Sequence, residues 1–499
     1  MQQIHHVLYT DSIYLIEKQG RNMYQHFTKF KSETRKQLLD SGFSENATDI
    51  MGAMLLGDRT EMNEEIEENY RKTGVVHILS ISGLHVVMVY TIFFYLLYPL
   101  TYLPKGKTGR IILSLLFIWA YAMFVEVQPP VARSALMITI FHFATVLRRK
   151  PNIYHTLAVS AFVLLLVNPN FLFDVGFQLS YAAVFFIVWL MPVYRKLLPF
   201  RNRSLRYIRD FIGTSISAQA GTFPIAAFYF HQSSGLFLAG NILMIPASFV
   251  MIAGGMLSVL FASLNIELPF WTKAFNCFFH WCNEYIGWLS SHENWVFENL
   301  SFDPAEVFIL ILILLILRSL VLNFTFKILI FMLSLLLVFE LNRIYKACHF
   351  NQKEEIIVFH QFKNSVIGVR NGSNLDVYIS DQSNSDKLDQ YVINPYVINE
   401  GIRSVNEFDM EDESASGYVK TKNLIFWKGK RILIVNENMN SVRDDFDYIL
   451  IQNSSKINLD SISKSTEIIL DGSNYPDYLK HSPRPIWRTA DLGFKRIIP

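Results

Sequence analysis

Polar side chains interrupt an otherwise apolar stretch, GVVHILSISGLHVVM, at residues 74–88. Such groups are costly in segments that cross a bilayer, and they mark water-filled paths or proton-handling sites. At helical spacing His77, Ser80, Gly83 and His85 share one broad face, which favours a pore wall or a gate. Close helix packing and hydroxyl bonds to the helix's own carbonyls explain the serines and Gly83 equally well.

The two histidines of this stretch raise the question of metal or acid–base chemistry. A zinc site on a helix uses histidines four residues apart with a further ligand, whereas His77 and His85 are eight apart with no glutamate between them. We therefore predict no metal and no cofactor. An intramembrane enzyme is a competing interpretation, with both histidines and a carboxylate such as Glu126 or Asp174 as acid and base.

Arg133 stands one turn into an apolar segment that follows tandem prolines, in QPPVARSALM at residues 128–137. A long basic side chain near a helix end either extends to the membrane interface or points into a pore, where it contacts phosphate. The sequence leaves both interpretations open.

Further polar residues lie in the apolar segments that follow. Pro224 and Pro246, with nearby glycines, predict broken helices, which a membrane tolerates only where protein or water satisfies the freed backbone groups. A transporter for a small anionic solute would use the same broken helices. The candidate channel-lining or gate residues are His77, Ser80, Ser82, Gly83, His85, Arg133, Gln178, Ser180, Gln219 and Asn241.

The elements that carry these residues are predicted to be membrane helices. The chain has 499 residues, of which 51% are hydrophobic and only 18% are charged. We predict a polytopic α-helical membrane protein with about nine spans of roughly 20 residues each, plus a small C-terminal soluble α/β domain rich in strands. The predicted spans are 75–98, 110–126, 131–147, 153–167, 175–194, 210–230, 236–263, 304–321 and 325–341.

Basic residues cluster in alternate loops, which by the positive-inside rule are cytoplasmic and place residues 1–73 outside. The most basic loop, residues 195–209, could also attract a nucleic-acid backbone, although topology control explains it equally well. Its arginines are Arg195, Arg201, Arg203, Arg206 and Arg209.

Four regions follow from these patterns. Residues 1–73 form an extracytoplasmic helical region, and residues 74–263 form the transmembrane core. Residues 264–349 hold an aromatic, amphipathic interfacial segment at 269–291 and two further spans, with their sidedness open. Residues 350–499 form the strand-containing domain.

The chain resembles the ComEC family, the inner-membrane DNA channels of natural competence. The motifs GVVHILSISGLHVVMV, QPPVARSALM, PNFLFDVGFQLSYAAV and SAQAGTFP to NILMIP occur in the family's order. The resemblance implies transport of single-stranded DNA across the cytoplasmic (inner) membrane. It also implies a DNA-receptor protein outside and a helicase-like motor in the cytoplasm, and the sequence contains no GxxxxGK[ST] loop of its own for nucleotide hydrolysis.

Two departures from the family pattern modify this expectation. The opening MQQIHHVLYTDSIYLI resembles only the last piece of the family's oligonucleotide-binding module, which implies a truncated N-terminal module. Residues 350–499 resemble the family's metallo-β-lactamase-like domain, but Gln452 and Asn453 stand where metal-ligating histidine is expected. His360 and His481 are the only histidines beyond residue 350 and no HxHxDH occurs, so we predict a degenerate, metal-free domain and no catalytic residues.

Overall fold

The computed structural model describes residues 23–150, 152–381, 388, 392–414, 417–442, 445–475, 477–480 and 482–499. The chain folds into two compact units, a helical unit up to Met332 and a second unit from Leu333 to Pro499. The predicted remnant of the oligonucleotide-binding module, at residues 1–16, lies outside the described residues.

Helices make up the first unit, and several begin at side-chain caps that satisfy their free N–H groups. Asp174 caps the helix that begins at Val175 by accepting Phe177 N–H, and Asp303 caps the helix that begins at Pro304 by accepting Glu306 N–H. The helices are α1 (Met23–Asp40), α2 (Glu45–Met51), α3 (Glu64–Lys72), α4 (Gly83–Leu96), α5 (Gly106–Phe124), α6 (Pro129–Val146), α7 (Ile153–Val167), α8 (Val175–Leu197), α9 (Arg203–Phe230), α10 (Phe237–Ser263), α11 (Pro269–Ser290), α12 (Pro304–Leu322) and α13 (Phe326–Gln352), the last running into the second unit.

Five of the described helices, α5, α8, α10, α12 and α13, are long and apolar enough to cross a bilayer. These five correspond to predicted spans. Two shorter apolar helices, α4 and α7, contain 14 and 15 residues. The count of nine spans is therefore still a prediction.

The predicted span at residues 75–98 is not one helix. A short 3₁₀ turn covers Val76–Ile78, and α4 begins only at Gly83. Ser82 is extended (φ −102°, ψ 170°), because its backbone N–H and hydroxyl are engaged by His85 at the start of the helix. The single face proposed for His77, Ser80, Gly83 and His85 is consequently wrong.

The predicted breaks at Pro224 and Pro246 are also absent, since α9 and α10 run through both prolines. Gly221 serves packing instead: a Cβ placed there would lie 2.4 Å from Phe186 Cδ2 of α8. The chain turns between the two helices at His231, which has a positive φ of 56°.

The N-terminal helices share the core of the bundle. Ile50, Met54 and Leu55 pack in one apolar cluster with residues of α4, α5, α10 and α11. Leu55 lies in a π-helical turn at Gly52–Leu56, and its carbonyl accepts a hydrogen bond from Tyr121 Oη at 3.2 Å. Residues 45–56 are thus an integral part of the helical unit.

Two sheets form the second unit, with an apolar core between them. The six-stranded sheet has the order β12-β11-β10-β9-β8-β7, and the five-stranded sheet has the order β13-β3-β4-β5-β6. The strands are β3 (Glu354–Val358), β4 (Val366–Asn371), β5 (Asn374–Ile379), β6 (Ser404–Asp409), β7 (Val419–Thr421), β8 (Leu424–Trp427), β9 (Lys430–Val435), β10 (Tyr448–Ile451), β11 (Glu467–Leu470), β12 (Ile486–Arg488) and β13 (Lys495–Ile497); β1 (Ser233–Ser234) and β2 (Val296–Phe297) pair in the first unit.

Strands β9 to β12 are parallel neighbours, so their carboxyl ends meet at one edge of the larger sheet. The helix α14 (Asn394–Asn399) covers the outer face of the smaller sheet. Arg370, fully buried in β4, donates to Glu400 Oε2 at 2.8 Å, just past that helix. The strand-rich C-terminal region expected from the sequence is confirmed.

Candidate functional site

Arg133 lies at the centre of a polar cluster with Ser134 and Ser180, against Gly83 at the start of α4, the helix that also carries His85. Pro129 and Pro130 open α6, so Arg133 falls in the first turns of the helix, where its side chain is 6% exposed. Its Nε donates to Ser180 Oγ of α8 at 2.7 Å, and Nη2 donates to Ser134 Oγ at 3.3 Å. The Arg133 side chain is therefore directed into the helical unit and not onto its surface.

The partners of Arg133 are neutral. Tyr181 Oη donates to Ser160 Oγ at 3.0 Å, and the Tyr181 ring centroid lies 5.8 Å from the guanidinium carbon. Among the described residues, no carboxylate forms an ion pair with Arg133. A buried cation without a counter-charge carries a desolvation cost that hydroxyl groups offset only partly, and it is a strong site for an anion.

Gly83 is the contact point between α4 and this arginine. A Cβ at Gly83 would lie 2.4 Å from Arg133 Nη2 and 2.5 Å from Ser134 Oγ. The absence of a side chain at position 83 thus lets the guanidinium seat against the start of α4.

His85 lies in the first turn of α4, two residues after Gly83. Its Nδ1 accepts from Ser82 N at 3.2 Å and lies 2.7 Å from Ser82 Oγ. Because Nδ1 accepts a backbone N–H, the ring proton is assigned to Nε2. Nε2 is buried and forms no hydrogen bond of ordinary geometry to a described residue, and the backbone of Ile78 is the polar group that interacts with the ring.

His77 and Ser80 lie outside the cluster, on the segment before α4. The carbonyl of His77 accepts from Ser80 Oγ at 3.2 Å, and the His77 ring is near enough to His85 for the two to interact electrostatically. The helix begins only at Gly83, so these two residues precede the helix that carries His85.

Gln178, Gln219 and Asn241 are likewise not brought together. Gln178 and Ser180 are two residues apart in a helix, so their side chains point to different sides. Gln178 Nε2 donates to Leu172 O at 2.9 Å. Gln219 is half-buried in α9, and its side chain makes no hydrogen bond to a described residue. Asn241 is buried near the start of α10, with Oδ1 unpartnered among the described residues.

The arginines of the basic loop do not form one surface. Arg195 pairs with Asp210 at 3.4 Å. Arg209 is buried and bonds to Asp210 and to Leu198 O, which excludes it as a free backbone contact and corrects the expectation. The remaining three, Arg201, Arg203 and Arg206, are exposed.

The carboxylates considered for acid–base chemistry serve other contacts. Glu126 Oε1 accepts from Lys31 Nζ at 3.2 Å, and Asp174 Oδ1 caps α8 by accepting Phe177 N at 2.8 Å. Within the described residues, neither carboxylate bonds to His77 or His85. The geometry therefore gives the enzyme interpretation no assembled acid–base pair.

A second polar group lies at the carboxyl edge of the parallel strands. Gln452 Nε2 donates to Ser365 Oγ at 2.5 Å, and Ser365 Oγ donates to the Asp471 carboxylate. Asp471 also accepts from Ser473 N and Asn474 Nδ2, both at 3.0 Å. Burial raises the pKa of the Asp471 carboxyl to about 6.

This edge does not fit a metal pair. In the described part of the chain, no group of three or more His, Cys, Asp or Glu side chains is arranged to hold an ion. Asn453 N donates to Ser473 Oγ at 2.9 Å, and His360 Nδ1 pairs with Thr489 Oγ1 at 3.0 Å. His481 lies outside the described residues.

The sequence prediction missed Ser134, Ser160, Tyr181, Ser365 and Asp471. Ser134 and Tyr181 directly follow residues that were selected, so the motifs themselves contained the signal. Asp471 follows the apolar strand β11, and an acidic residue after a buried parallel strand is a recognisable pattern for an edge site. Ser365 reaches Asp471 from a distant loop, which no local pattern indicates.

Comparison with known proteins gives two family matches. Residues 54–324 match the family described as "Competence protein", and residues 356–482 match the family described as "ComEC C-terminal domain". No solved structure matches significantly.

Three relatives illustrate the likeness. ComE operon protein 3 of Bacillus subtilis (strain 168) is 32% identical over 246 residues, which cover 49% of this chain and 30% of that protein. Competence protein ComA of Neisseria gonorrhoeae is 28% identical over 158 residues, covering 30% of this chain and 22% of that protein. An uncharacterized protein of Aquifex aeolicus (strain VF5) is 31% identical over 144 residues, which cover 28% of this chain and 32% of that protein. The matched regions thus span less than a third of each relative.

Proposed function

Because the chain belongs to the Competence protein family, we propose that its helical unit is the conduit for single-stranded DNA across the cytoplasmic membrane during natural transformation. The buried, uncompensated Arg133 is the observation that carries this proposal. DNA presents one phosphate per nucleotide, and a guanidinium is well suited to bind it. The apolar spanning helices supply the path through the bilayer.

The polar cluster is proposed to act as the gate. Arg133 is buried between α4, α6 and α8, and His85 is buried in the first turn of α4, so a strand reaches them only after these helices separate. A phosphate then replaces the hydroxyls of Ser134 and Ser180 as partner of Arg133. The gain of these charge-assisted bonds favours the open arrangement in the presence of DNA.

The path is proposed to include nine crossings of the inner membrane. The five long apolar helices would be joined by α4, α6, α7 and α9, which occupy the remaining predicted spans. A receptor protein outside would deliver the strand, and a helicase-like motor in the cytoplasm would pull it.

The second unit is proposed to lack nuclease activity. Two-metal phosphodiester hydrolysis needs clustered histidine and carboxylate ligands. At the equivalent edge, an amide, a hydroxyl and one carboxyl group bond to each other instead. Degradation of the non-transported strand would fall to another protein.

Uptake of labelled DNA by a deletion strain expressing variants tests the gate. His85→Ala and Arg133→Ala should lower the DNase-resistant cytoplasmic signal at least tenfold with unchanged protein level. His155→Ala and Arg149→Gln are the matched controls, since both side chains are exposed. Normal uptake by both cluster variants would remove the polar cluster from the transport path.

A further inference from the structure

A basic and aromatic segment in the second unit has no part in the gate described above. Residues 420–431, KTKNLIFWKGKR, contain five lysines and arginines, two aromatic residues and no acidic residue. Such alternation of cations and rings is typical of surfaces that bind unpaired nucleic acid. Two of the five are engaged elsewhere, since Lys420 is buried and donates to Met410 O and Asp412 O while Lys422 pairs with Glu411. The other three, Lys428, Lys430 and Arg431, lie at the tip of the segment.

The segment folds into a tight hairpin. Strands β8 and β9 are antiparallel and are joined by Lys428 and Gly429, both with positive φ (48° and 78°). Two central residues with positive φ are typical of a type I′ turn, which matches the twist of the flanking strands and fixes their register. Phe426 and Arg431 are opposite partners in that register.

One face of the hairpin presents an unusual apolar surface. Ile425 and Trp427 point into the core, whereas Phe426 between them is 46% exposed. Val419 in β7, the cross-strand partner of Phe426, is 49% exposed. On the other side the guanidinium of Arg431 lies 5.9 Å from the ring centroid of Phe446. The row Val419, Phe426, Arg431 and Phe446 thus crosses three strands and the segment before β10.

The cations at the hairpin tip are available to a ligand. Lys430 and Arg431 form no ion pair with any described residue, and Lys430 lies 5.9 Å from the ring centroid of Tyr448. The Asp447 carboxylate beside them accepts the backbone N–H of Arg431 at 2.8 Å. Lys428 pairs with Glu354 at 2.7 Å, but both side chains are partly exposed, so this pair is weak and exchangeable.

We propose that this hairpin is a binding surface for single-stranded DNA, with a base stacked on Phe426 and the adjacent phosphates held by Arg431, Lys430 and Lys428. The proposal rests on the transport function above and adds a contact that the family resemblance does not supply. An aromatic ring next to a guanidinium suits an unpaired base and its phosphate, because every base has a face to stack.

The surface is separate from the Asp471 edge. Strand β9 begins at Lys430 and runs parallel to β10 and β11, so the hairpin tip lies at the amino ends of the strands. Asp471 lies at the opposite, carboxyl end. A strand bound at the hairpin is therefore held away from the edge at which a nuclease of this architecture would act.

Binding of fluorescent oligothymidine to the detergent-solubilised full-length protein tests the proposal by anisotropy. Phe426→Ala should weaken binding about 5- to 100-fold, the range for loss of one stacked base. Phe494→Ala is the matched control, since Phe494 is 45% exposed and lies 5.3 Å from Arg496 elsewhere in the same unit; its affinity should be unchanged.

The salt dependence separates the two kinds of contact. Arg431→Ala and Lys430→Ala should each reduce the slope of log affinity against log salt by about 0.7, the value for one phosphate contact on a single strand. Phe426→Ala should leave the slope unchanged. Equal affinities for the wild type and all three variants would overturn the hairpin proposal. The proposal that the helical unit conducts DNA would be unaffected, because uptake in cells tests it separately.

A photocrosslinking residue, p-benzoylphenylalanine, at position 426 identifies the occupant directly. During uptake it should crosslink to labelled DNA. Crosslinks to lipid or to protein alone would show a docking surface of another kind and would overturn the proposal.

Discussion

At the scale of single residues, the polar cluster depends on one missing side chain. Gly83 allows the guanidinium of Arg133 to reach Ser134 and Ser180, and a Cβ would enter this space at 2.4 Å. Gly83→Ala should therefore destabilise the protein by about 1–3 kcal/mol, as overpacking does, and reduce DNA uptake. Thermal unfolding in detergent and uptake in cells measure the two effects.

Gly109→Ala is the control for this substitution. Gly109 lies in α5, and nothing is within 4 Å of an added Cβ. The melting temperature of Gly109→Ala should equal or exceed that of the wild type, because alanine has a higher helix propensity than glycine. Equal behaviour of the two variants would contradict the role assigned to Gly83.

Asp471 gives the second unit a defined pH dependence. Burial raises the pKa of its carboxyl to about 6, against about 3.9 in an unfolded chain. The folded state keeps the Asp471 carboxyl protonated to a higher pH than the unfolded chain does. The stabilisation from this proton is therefore complete below pH ~4 and is lost as pH rises to ~6. The free energy of opening of β10 and β11 should fall by up to ~3 kcal/mol across that window.

Hydrogen–deuterium exchange on the full-length protein measures this opening, with rates corrected for pH. Asp471→Asn should remove the dependence. Asp477→Asn, at a side chain that is 86% exposed, should retain it. A pH dependence that persists in Asp471→Asn would assign the effect to another group.

The residue types of the cluster were predictable, but their grouping was not. Arg133, Ser180, Ser82 and His85 were selected because polar groups in apolar segments are costly. The contact of Arg133 with Ser180 and with Gly83 depends on how α4, α6 and α8 pack, which periodicity within each segment does not encode. Gln178 was selected in the same motif as Ser180 but lies outside the cluster, which shows that the motif alone does not tell which polar residues meet.

At the scale of elements, close helix contacts organise the bundle. Gly254 of α10 faces Phe275 of α11, and a Cβ there would lie 1.8 Å from Phe275 Cζ. Gly254→Ala must push the two helices apart and should lower the melting temperature, with a loss of about 1–3 kcal/mol.

Gly287→Ala in α11 is the matched control, since no atom lies within 4 Å of an added Cβ. Thermal unfolding in detergent compares the pair. A Gly254→Ala variant as stable as Gly287→Ala would show that the α10–α11 contact contributes little.

Element types were predicted better than element ends. The five long apolar helices coincide with predicted spans because their length and hydropathy determine them. The interruption before Gly83 was missed because Ser82 and His85 bond locally, and an apolar window averages over such a contact. The prolines of α9 and α10 predicted breaks that neighbouring packing prevents.

At the scale of the whole molecule, conduction and cutting are proposed to be separate tasks. The purified full-length protein should bind no stoichiometric zinc or manganese and should leave single-stranded DNA intact in the presence of either ion. Elemental analysis and gel electrophoresis measure these outcomes. Metal-dependent cleavage that Asp471→Asn abolishes would restore a nuclease to the second unit.

The division into a helical unit and a strand-rich unit was predictable from the change in composition near residue 350. The inclusion of residues 45–56 in the bundle core was not, because their polar flanks suggested a region outside the membrane. Ile50 and Leu55 pack on helices that are distant in sequence, and such contacts emerge only in the fold.

Crosslinking of DNA in transit tests the conduit most directly. A single strand carrying 4-thiothymidine, irradiated during uptake in competent cells, should crosslink to peptides from residues 74–263, and Arg133→Ala should reduce that yield. Continued uptake with crosslinks only outside residues 74–263 would contradict the account.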